Sequence, residues 1–448
     1  MISPILILKF KTRSSLQKQA LPLFLFTNFL INEYGMSMNT LSTQVGKKAL
    51  IVVENSFVPL DVRVWYEALT LRDAGWQVTV ICPSPADIDD AASHSGTLEA
   101  VNLEGVTVYY FPLRSAQTGV SAYLNEYISA FLSIGGLIWH IWRHECFDIL
   151  HICNPPDMFF PYAFFYRMLG VKVIFDHHDL FPEFVRHRFL GMKGSLFYLL
   201  ARGMEFLTHQ SSNITIAVNE SYKRIALTRG HVSPQKCVVV RNGPKISDFE
   251  LVTPQPSLKK GRAFMACYLG VMGYEDGIME LVDIVRHVVY NLGRKDIYFY
   301  FMGDGSLRQP ALKQIAALGL ERYVEMPGMV RDKFIIKQYL STADICIAPE
   351  PLSPLNVHST FIKVGEYMAV GKPIVTFDLP ETRITAQKAA CYIPSGDTAG
   401  FGHAICRLLD DPDLRTVMGE FGRQRFLSCL SWEHQQENLL YAYNMALS

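Results

Sequence analysis

The sequence predicts an α/β protein of two doubly wound domains facing each other across a cleft, and three observations lead there. Its 448 residues are about three times the common domain size of roughly 150 residues. From residue 48 onward short β-rich runs alternate with helical stretches, the pattern of parallel sheets covered on both faces by helices. The polar, Pro-containing stretch from Pro244 to Arg262 interrupts that alternation, which then resumes, so a domain boundary is expected there.

In the first half, β-rich runs predict strands at 48–53, 77–82, 106–111, 147–152, 171–176, 213–218 and 237–240. Between the first two, Asp61 is placed to cap a helix whose Val62, Trp65, Ala68 and Leu69 recur at helical spacing, and Gly75 stands where a C-terminal glycine would end it. The apolar stretch from Ala122 to Trp142 contains Asn125, Glu126 and His140, which are costly in lipid, so it is predicted to be a domain helix. In the second half, strands are expected near 264–270, 297–302, 322–326, 344–348 and 373–377. In sheets of this kind ligands bind beyond the carboxyl ends of the strands.

Composition excludes several classes. With 49% hydrophobic and 19% charged residues the chain has the material for buried cores, against a disordered or fibrous protein. Lys plus Arg (42) balance Asp plus Glu (42) and no long basic run occurs, so a nucleic-acid partner is not expected. The nine cysteines are odd in number, scattered and without a Cys-x-x-Cys pair, which fits reduced thiols in the cytoplasm and no structural zinc. Residues 1–46 differ from the rest: Lys9, Lys11, Arg13 and Lys18 precede an apolar stretch, Leu21 to Ile31, too short to span a bilayer. Met36 and Met38 lie close before the first strand, so this extension reads as a misplaced start or a weak anchor. A mean hydropathy of +0.14 and the aromatic cluster Phe159, Phe160, Tyr162, Phe164, Phe165 and Tyr166 leave room for peripheral membrane contact.

The strand ending at Met302 runs into Gly303-Asp304-Gly305 and a helical stretch from Ser306, an arrangement that either frees backbone N–H groups for an anion or simply makes a tight turn. The segment from Asn356 to Pro373 places Phe361, Val364 and Met368 on a core face. Lys363 and Glu366 project together from the other side, where a cation could hold a phosphate and a carboxylate could bind sugar hydroxyls, or where the two simply form a solvated pair. His358, Ser359 and Thr360 precede them, and the last two add hydroxyl and backbone donors at the expected helix start. In the first half, Asp176-His177-His178-Asp179 ends a strand where a cleft should open, and His151 ends the preceding strand, either lining that cleft or buried and satisfied. No third ligand follows at a metal-site spacing, and His140 with His144 lack the Glu of a zinc motif, so no metal is expected. No Gly-x-Ser-x-Gly elbow, Walker loop or kinase signature occurs. A dinucleotide oxidoreductase fits poorly, because the loop Glu54 to Leu60 has no glycine and the second strand ends in Ile81-Cys82-Pro83-Ser84 without an acidic residue.

The chain resembles the retaining glycosyltransferases of family 4, with the two-domain GT-B architecture of Rossmann-like halves, over about residues 48 to 446. The resemblance rests on Asp61-Val-Arg-Val-Trp-Tyr-Glu67, Asn154-Pro-Pro-Asp157, Asp176-His-His-Asp179, Val240-Arg-Asn-Gly-Pro244, Gly303-Asp-Gly305, Glu366-Tyr-Met-Ala-Val-Gly-Lys-Pro373 and Ser431-Trp432. It implies an acceptor-side domain at 47–243, a nucleotide-sugar-binding domain at 244–430 and a final helix at 431–448 that crosses back to the first domain. It also implies transfer of a sugar, hexosyl in type, from a nucleotide-diphosphate sugar to a glycan or lipid-linked acceptor, with retention and without metal or cofactor, in cell-surface polysaccharide synthesis. Transfer would be front-face, the leaving phosphate helping to deprotonate the acceptor. By the same resemblance the catalytic set is His178, Glu366 and Lys363, with Glu366 on the nucleotide ribose and His178 near the reacting centre. The donor side would comprise Gly303, Asp304, Gly305, His358, Ser359, Thr360, Lys363, Glu366, Asn242 and Gly243. Asp61, Arg63, His151, His177 and Asp179 would line the acceptor side, and the enzyme would be cytoplasmic, at the inner face of the plasma membrane.

Two departures stand out. The family's Glu-x7-Glu has His358 at its first position, and the loop Gly270 to Gly277 has Val271 and Asp276 where the family carries Arg and Lys. Another cation must then face the pyrophosphate, Lys363 first and Arg241 or Arg63 after it. These losses keep a second reading open, a glycosyltransferase-like protein that binds a nucleotide or partner without turnover.

Overall fold

The structure, a computed structural model, describes residues 46–85, 100–112, 120–188 and 191–448. The extension predicted at 1–46 lies, apart from Gly46, outside them.

The first part of the chain runs β1 (Lys48–Val52), α1 (Val62–Asp73), β2 (Gln77–Pro83), β3 (Ala100–Leu103), β4 (Val106–Phe111), α2 (Val120–Glu145), β5 (Ile149–Cys153), α3 (Phe160–Met168), β6 (Lys172–His177), α4 (Phe181–Arg188), α5 (Gly191–Ser211), β7 (Ile214–Ala217), α6 (Glu220–Thr228) and β8 (Cys237–Val239). Its strands form one sheet in the order β3-β4-β2-β1-β5-β6-β7-β8, parallel except for the β3/β4 pair. The second part runs β9 (Phe264–Leu269), α7 (Ile278–Arg286), β10 (Ile297–Met302), α8 (Arg308–Ala317), β11 (Val324–Gly328), α9 (Lys333–Thr342), β12 (Ile345–Ala348), α10 (Ile362–Ala369), β13 (Ile374–Phe377), α11 (Pro380–Ala386), β14 (Ala390–Ile393), α12 (Thr398–Asp410), α13 (Pro412–Arg425) and α14 (Trp432–Leu447). Its sheet order, β11-β10-β9-β12-β13-β14, reverses direction between β9 and β12, as the first does between β1 and β5. Such switch points leave a crevice beyond the carboxyl ends of the strands.

Near-continuous apolar strands demand cover on both faces. In the first sheet Ile51, Val80 and Ile174 pack under α1 and α14, while Leu50, Leu150 and Val173 pack under α2 and α3. The last helix belongs to the first of these cores: Trp432, Leu439 and Tyr443 are buried in it, and Trp432 Nε1 donates to Thr70 Oγ1 at 3.0 Å. The second sheet is covered by α7, α8 and α12 on one face and by α9 and α10 on the other. Two strands, β3 and β14, are additional to those the sequence predicts; both are four-residue edge strands, β3 largely exposed and β14 half-buried.

Candidate functional site

The carboxyl ends of the two sheets enclose a cleft of about 800 Å³, a volume of the size that holds small-molecule ligands. On its first wall, Asp61 caps α1 by accepting from Val64 N at 3.1 Å. The first turn then carries Arg63, Tyr66 and Glu67 on one face, three and four residues apart. Arg63 reaches Asp176 with two nitrogens, Nε to Oδ2 at 3.1 Å and NH2 to Oδ1 at 2.9 Å. Its NH1 donates to Val240 O at 2.8 Å and Asn242 Oδ1 at 2.7 Å. His178 Nε2 lies 2.6 Å from Asp176 Oδ2. Arg63 Nε lies 2.9 Å from the same Nε2, so the Asp176–Arg63 pair engages that nitrogen and Nδ1 is the ring nitrogen left for a ligand.

Burial alone would raise the Asp176 pKa, but Arg63 and His178 overcome it and hold the carboxyl well below its usual range. Glu67 lies beside them, fully buried, and burial together with Asp176 pushes its carboxyl well above the usual range. The cluster therefore balances one cation against one anion, which buried charges require. Glu67, Cys153, Asp176 and His178 could be drawn around a metal ion among the described residues. Arg63 NH2 already pairs with two of these carboxylates, Asp176 at 2.9 Å and Glu67 at 3.1 Å, so a cation is in place beside the cluster.

Strand alternation decides the rest of this wall. Asp176 and His178 turn toward Arg63 of the cleft wall and bond to it without lining the cleft themselves, whereas His177 points to the opposite face. There it stacks on Phe175, faces Tyr222, and has Nε2 3.6 Å from Glu205; burial drives its pKa well down. His177 is thus corrected from an acceptor-side residue to a buried one. His151 is also fully buried, its Nδ1 2.7 Å from Tyr443 Oη on α14, and lines no part of the cleft. Asp61 acts as a helix cap. Asp179 does line the cleft, and Asn154 Oδ1 fixes it and His178 by accepting both backbone N–H groups.

On the second wall, α10 begins at Ile362 with Phe361 as its cap residue, two residues later than the hydroxyls expected to start it. Lys363 and Glu366 both line the cleft, yet Lys363 is only 8% exposed. Its Nζ bonds Tyr268 Oη at 2.9 Å, pairs closely with Glu350 and lies 3.8 Å from Asp276. Burial pulls its pKa down, but Glu350 and Tyr268 more than offset that and the net shift is upward. Burial raises the Glu350 carboxyl and pushes Glu366 up to about 7. Glu350, thirteen residues upstream of Lys363, belongs to no motif that would mark it in the sequence.

Gly303 and Gly305 answer to close approach. With φ of +142° and +158°, a Cβ would stand 1.8 Å from Gly270 O and 2.5 Å from Met272 O respectively. Gly303 N donates to Gly328 O and Leu307 N to Met272 O, while Asp304 Oδ1 accepts from Gly305 N. The glycines therefore serve a tight, zipped pair of loops, and these N–H groups are not left for an anion. Gly303 and Asp304 still edge the cleft. Val271 is 64% exposed and lines it, and Asp276 accepts from Gly273 N at 2.9 Å.

The walls are tied together. Asn219 Nδ2 donates to His358 O at 2.8 Å and Thr360 Oγ1 at 3.0 Å, while its Oδ1 caps α6. His358 is absent from the cleft lining; burial lowers its pKa, and Glu183 and Arg229 of the first half are the next influences on it. Ser359 lines the cleft and donates to Leu355 O at 3.0 Å. Asn242 and Gly243 line it beside Arg63, with Gly243 packed so closely that a Cβ would meet Leu430 O at 2.2 Å. Arg241 stays outside, 3.8 Å from Glu381. Asp248, after β8, joins Tyr66 of α1 to Lys333 of α9, the latter at 2.7 Å. Each cation lining the cleft (Arg63, Lys333 and Lys363) thus has a carboxylate partner in place.

Comparison with known proteins adds the following. The description "Glycosyltransferase Family 4" matches residues 61–247 and "Glycosyl transferases group 1" matches residues 263–411. The chain is 21% identical over 215 residues to the chitobiosyldiphosphodolichol beta-mannosyltransferase of Candida glabrata, 48% of this chain and 46% of that protein. It is 26% identical over 187 residues to the lipopolysaccharide core biosynthesis glycosyltransferase LpsD of Rhizobium meliloti, 41% of this chain and 48% of that one. The match thus spans about half the length of these relatives. Among solved structures, sucrose-phosphate synthase from Thermosynechococcus elongatus superposes with a TM-score of 0.66 at 14% identity, over 89% of this chain and 98% of that one. Anabaena Alr3699/HepE in complex with UDP-glucose does so at 0.64 and 14% identity, over 89% and 99%. These likenesses establish the GT-B fold.

Proposed function

Because the chain belongs to the family 4, group 1 glycosyltransferases, we propose that it transfers a sugar from a nucleoside-diphosphate sugar to a glycan or lipid-linked acceptor. The observation that carries this reading is one cleft lined by Arg63 and Asp179 on one wall and by Lys363 and Glu366 on the other, with Asp176 and His178 bonded to Arg63 directly behind the first wall. In this reading Glu366 accepts from the ribose hydroxyls, and the diphosphate lies at the start of α10 beside Lys363, where the helix dipole and the ammonium both favour anions. Met329, Val330 and Ile336 offer an apolar wall for the base. The donor sugar meets Nδ1 of His178, whose ring Asp176 and Arg63 hold in place. Transfer proceeds with retention on the front face, the departing phosphate taking the acceptor proton while Lys363 stabilises the charge left on it. No metal or cofactor is assigned to the reaction. The relative named for lipopolysaccharide core biosynthesis supports a role in cell-surface polysaccharide synthesis.

A thermal-shift screen against nucleoside mono- and diphosphates and nucleotide sugars tests this, since a ligand raises stability by mass action. Selective stabilisation by one base's diphosphate, kept without magnesium, is expected, followed by transfer activity with that donor. Stabilisation by no nucleotide would refute the site. Binding without transfer to any acceptor would favour the inactive, nucleotide-binding reading, which the fully paired cations of the cleft would then explain.

A further inference from the structure

A second cavity, of about 210 Å³, opens at the amino ends of β7 and β8. Ser212 and Asn213, which precede β7, and Lys236, which precedes β8, line it together with Arg167 near the end of α3 and His209 near the end of α5. Both strands run parallel to β6, whose carboxyl end carries Asp176 behind the cleft wall. Cleft and cavity therefore lie at opposite edges of the first sheet.

Charge at this cavity has one sign. Among the described residues no carboxylate lines it, and the segments that build it carry no acidic residue over 158–175, 206–219 and 221–247. Carboxylates close by in sequence or along the sheet edge are engaged or distant. Glu205 pairs with Arg229 at 2.5 Å, Asp148 before β5 accepts from Lys48 N at 2.7 Å, and Glu220 stands at the far, amino end of α6. Every cation of the cleft has a carboxylate partner, whereas among the described residues Arg167 and Lys236 have none.

The groups left unspent here are donors. Helices α3, α5 and α6 end beside the cavity, and carbonyls at the ends of α5 and α6 are already taken: Gln210 O by Arg167 NH1 at 3.0 Å, Gly230 O by Gln210 Nε2 at 2.8 Å, and Thr208 O and His209 O by the Ser211 and Ser212 hydroxyls. Arg167 keeps its remaining N–H groups. Asn213 Oδ1 accepts from Val173 N at 2.9 Å, which leaves the amide NH2. His209 gives an independent sign. It is 3% exposed, its Nδ1 lies 3.2 Å from Thr215 Oγ1, and its Nε2 has no partner. Burial and then Arg229 bring its pKa down to about 3, so the ring is neutral, and with the Thr215 hydroxyl donating to Nδ1 the hydrogen sits on Nε2. A buried donor without an acceptor costs free energy. Cations and neutral N–H donors with no carboxylate among them are the set that takes up phosphate.

We propose that this cavity binds a phosphate dianion, free or as the monoester of a small molecule, separately from the nucleotide cleft. Its 210 Å³ is below the roughly 300–1,000 Å³ of drug-sized sites and leaves room for one phosphate group with a short organic part. The site goes beyond the transferase reading and does not rest on it.

The test is isothermal titration of the full-length chain with inorganic phosphate and with glucose 6-phosphate at fixed ionic strength. Both should bind wild type, and the cleft variant Lys363→Met/Glu350→Gln should keep that binding. Tighter binding of glucose 6-phosphate would assign a monoester, and equal binding the free ion. Arg167→Gln/Lys236→Gln should bind both about tenfold more weakly or worse, because two charge-assisted contacts are lost, while nucleoside diphosphates should stabilise it as they do wild type. Lys223→Gln/Arg224→Gln removes the same charge from α6 outside the cavity and should bind as wild type. Failure of wild type to bind either compound overturns the proposal. Equal weakening in the Arg167/Lys236 and Lys223/Arg224 variants overturns it in favour of a diffuse positive field, and loss of binding in the cleft variant alone overturns it by assigning the ion to the cleft. A chain that binds phosphate here but is stabilised by no nucleoside diphosphate would refute the transferase reading and leave this site standing.

Discussion

Replacing Lys363 with Met separates two roles that its position combines. The ammonium is buried against Glu350 and Tyr268, and removing one partner of a buried pair costs about 3–5 kcal/mol when the other stays charged. Here burial already raises the Glu350 carboxyl, so protonation relieves part of that penalty, and Lys363→Met should lose about 2 kcal/mol of stability at neutral pH. Its deficit should shrink as pH falls, because a neutral Glu350 needs no counter-charge. Adding Glu350→Gln should restore most of the stability, since both charges are then gone. Nucleotide binding should not follow. A charge-assisted bond to phosphate contributes about 1.5–3 kcal/mol, roughly 10- to 150-fold in Kd, so both variants should bind a nucleoside diphosphate that much more weakly while binding the nucleoside unchanged. Urea denaturation and isothermal titration give the two quantities. A double variant that binds the diphosphate with wild-type affinity would refute the assignment of Lys363, and wild-type stability in the single variant would refute the energetics of its pair.

Further outcomes follow from the same geometry. Glu366 sits at about 7, above its usual value because of burial. Its protonated form stabilises the fold below about pH 4.5 and that contribution fades as pH rises through 7, while nucleoside affinity, which needs the carboxylate, should rise over the same range and be flat in Glu366→Gln. Gly303→Ala would drive a Cβ to 1.8 Å from Gly270 O at φ +142° and should lose about 2–4 kcal/mol of stability by denaturant titration. Asn219→Asp keeps the helix cap but turns the buried donor to His358 O and Thr360 into a carboxylate oxygen facing a carbonyl, so stability should fall by about 1–3 kcal/mol and donor affinity several-fold, and unchanged stability with unchanged donor KM would rule this latch out. Val271→Arg restores a cation to an exposed cleft position and should tighten diphosphate binding, about threefold to tenfold, in a salt-dependent way.

Much of the site was legible along the chain because local repeats fix it. Period-two alternation on β6 separates Asp176 and His178 from His177, although the string Asp-His-His-Asp on its own suggests one cluster. Helical spacing on α10 puts Lys363 and Glu366 on the cleft face and Val364 and Met368 in the core. The Asp61 cap is a contact between near neighbours and needs only the sequence.

The positions of the central strands and capped helices follow from the chain alone, since apolar periodicity and caps act within one or two turns of backbone. Which charges meet depends on long-range packing: Arg63 with Asp176, 113 residues apart, Lys363 with Glu350, and Asp248 with both Tyr66 and Lys333. It also left His358 out of the cleft lining and gave Gly303 N and Leu307 N carbonyl partners on neighbouring segments. Those choices depend on which strand ends the sheet order brings together, and in a buried setting a charge settles on whichever opposite charge that order places within reach.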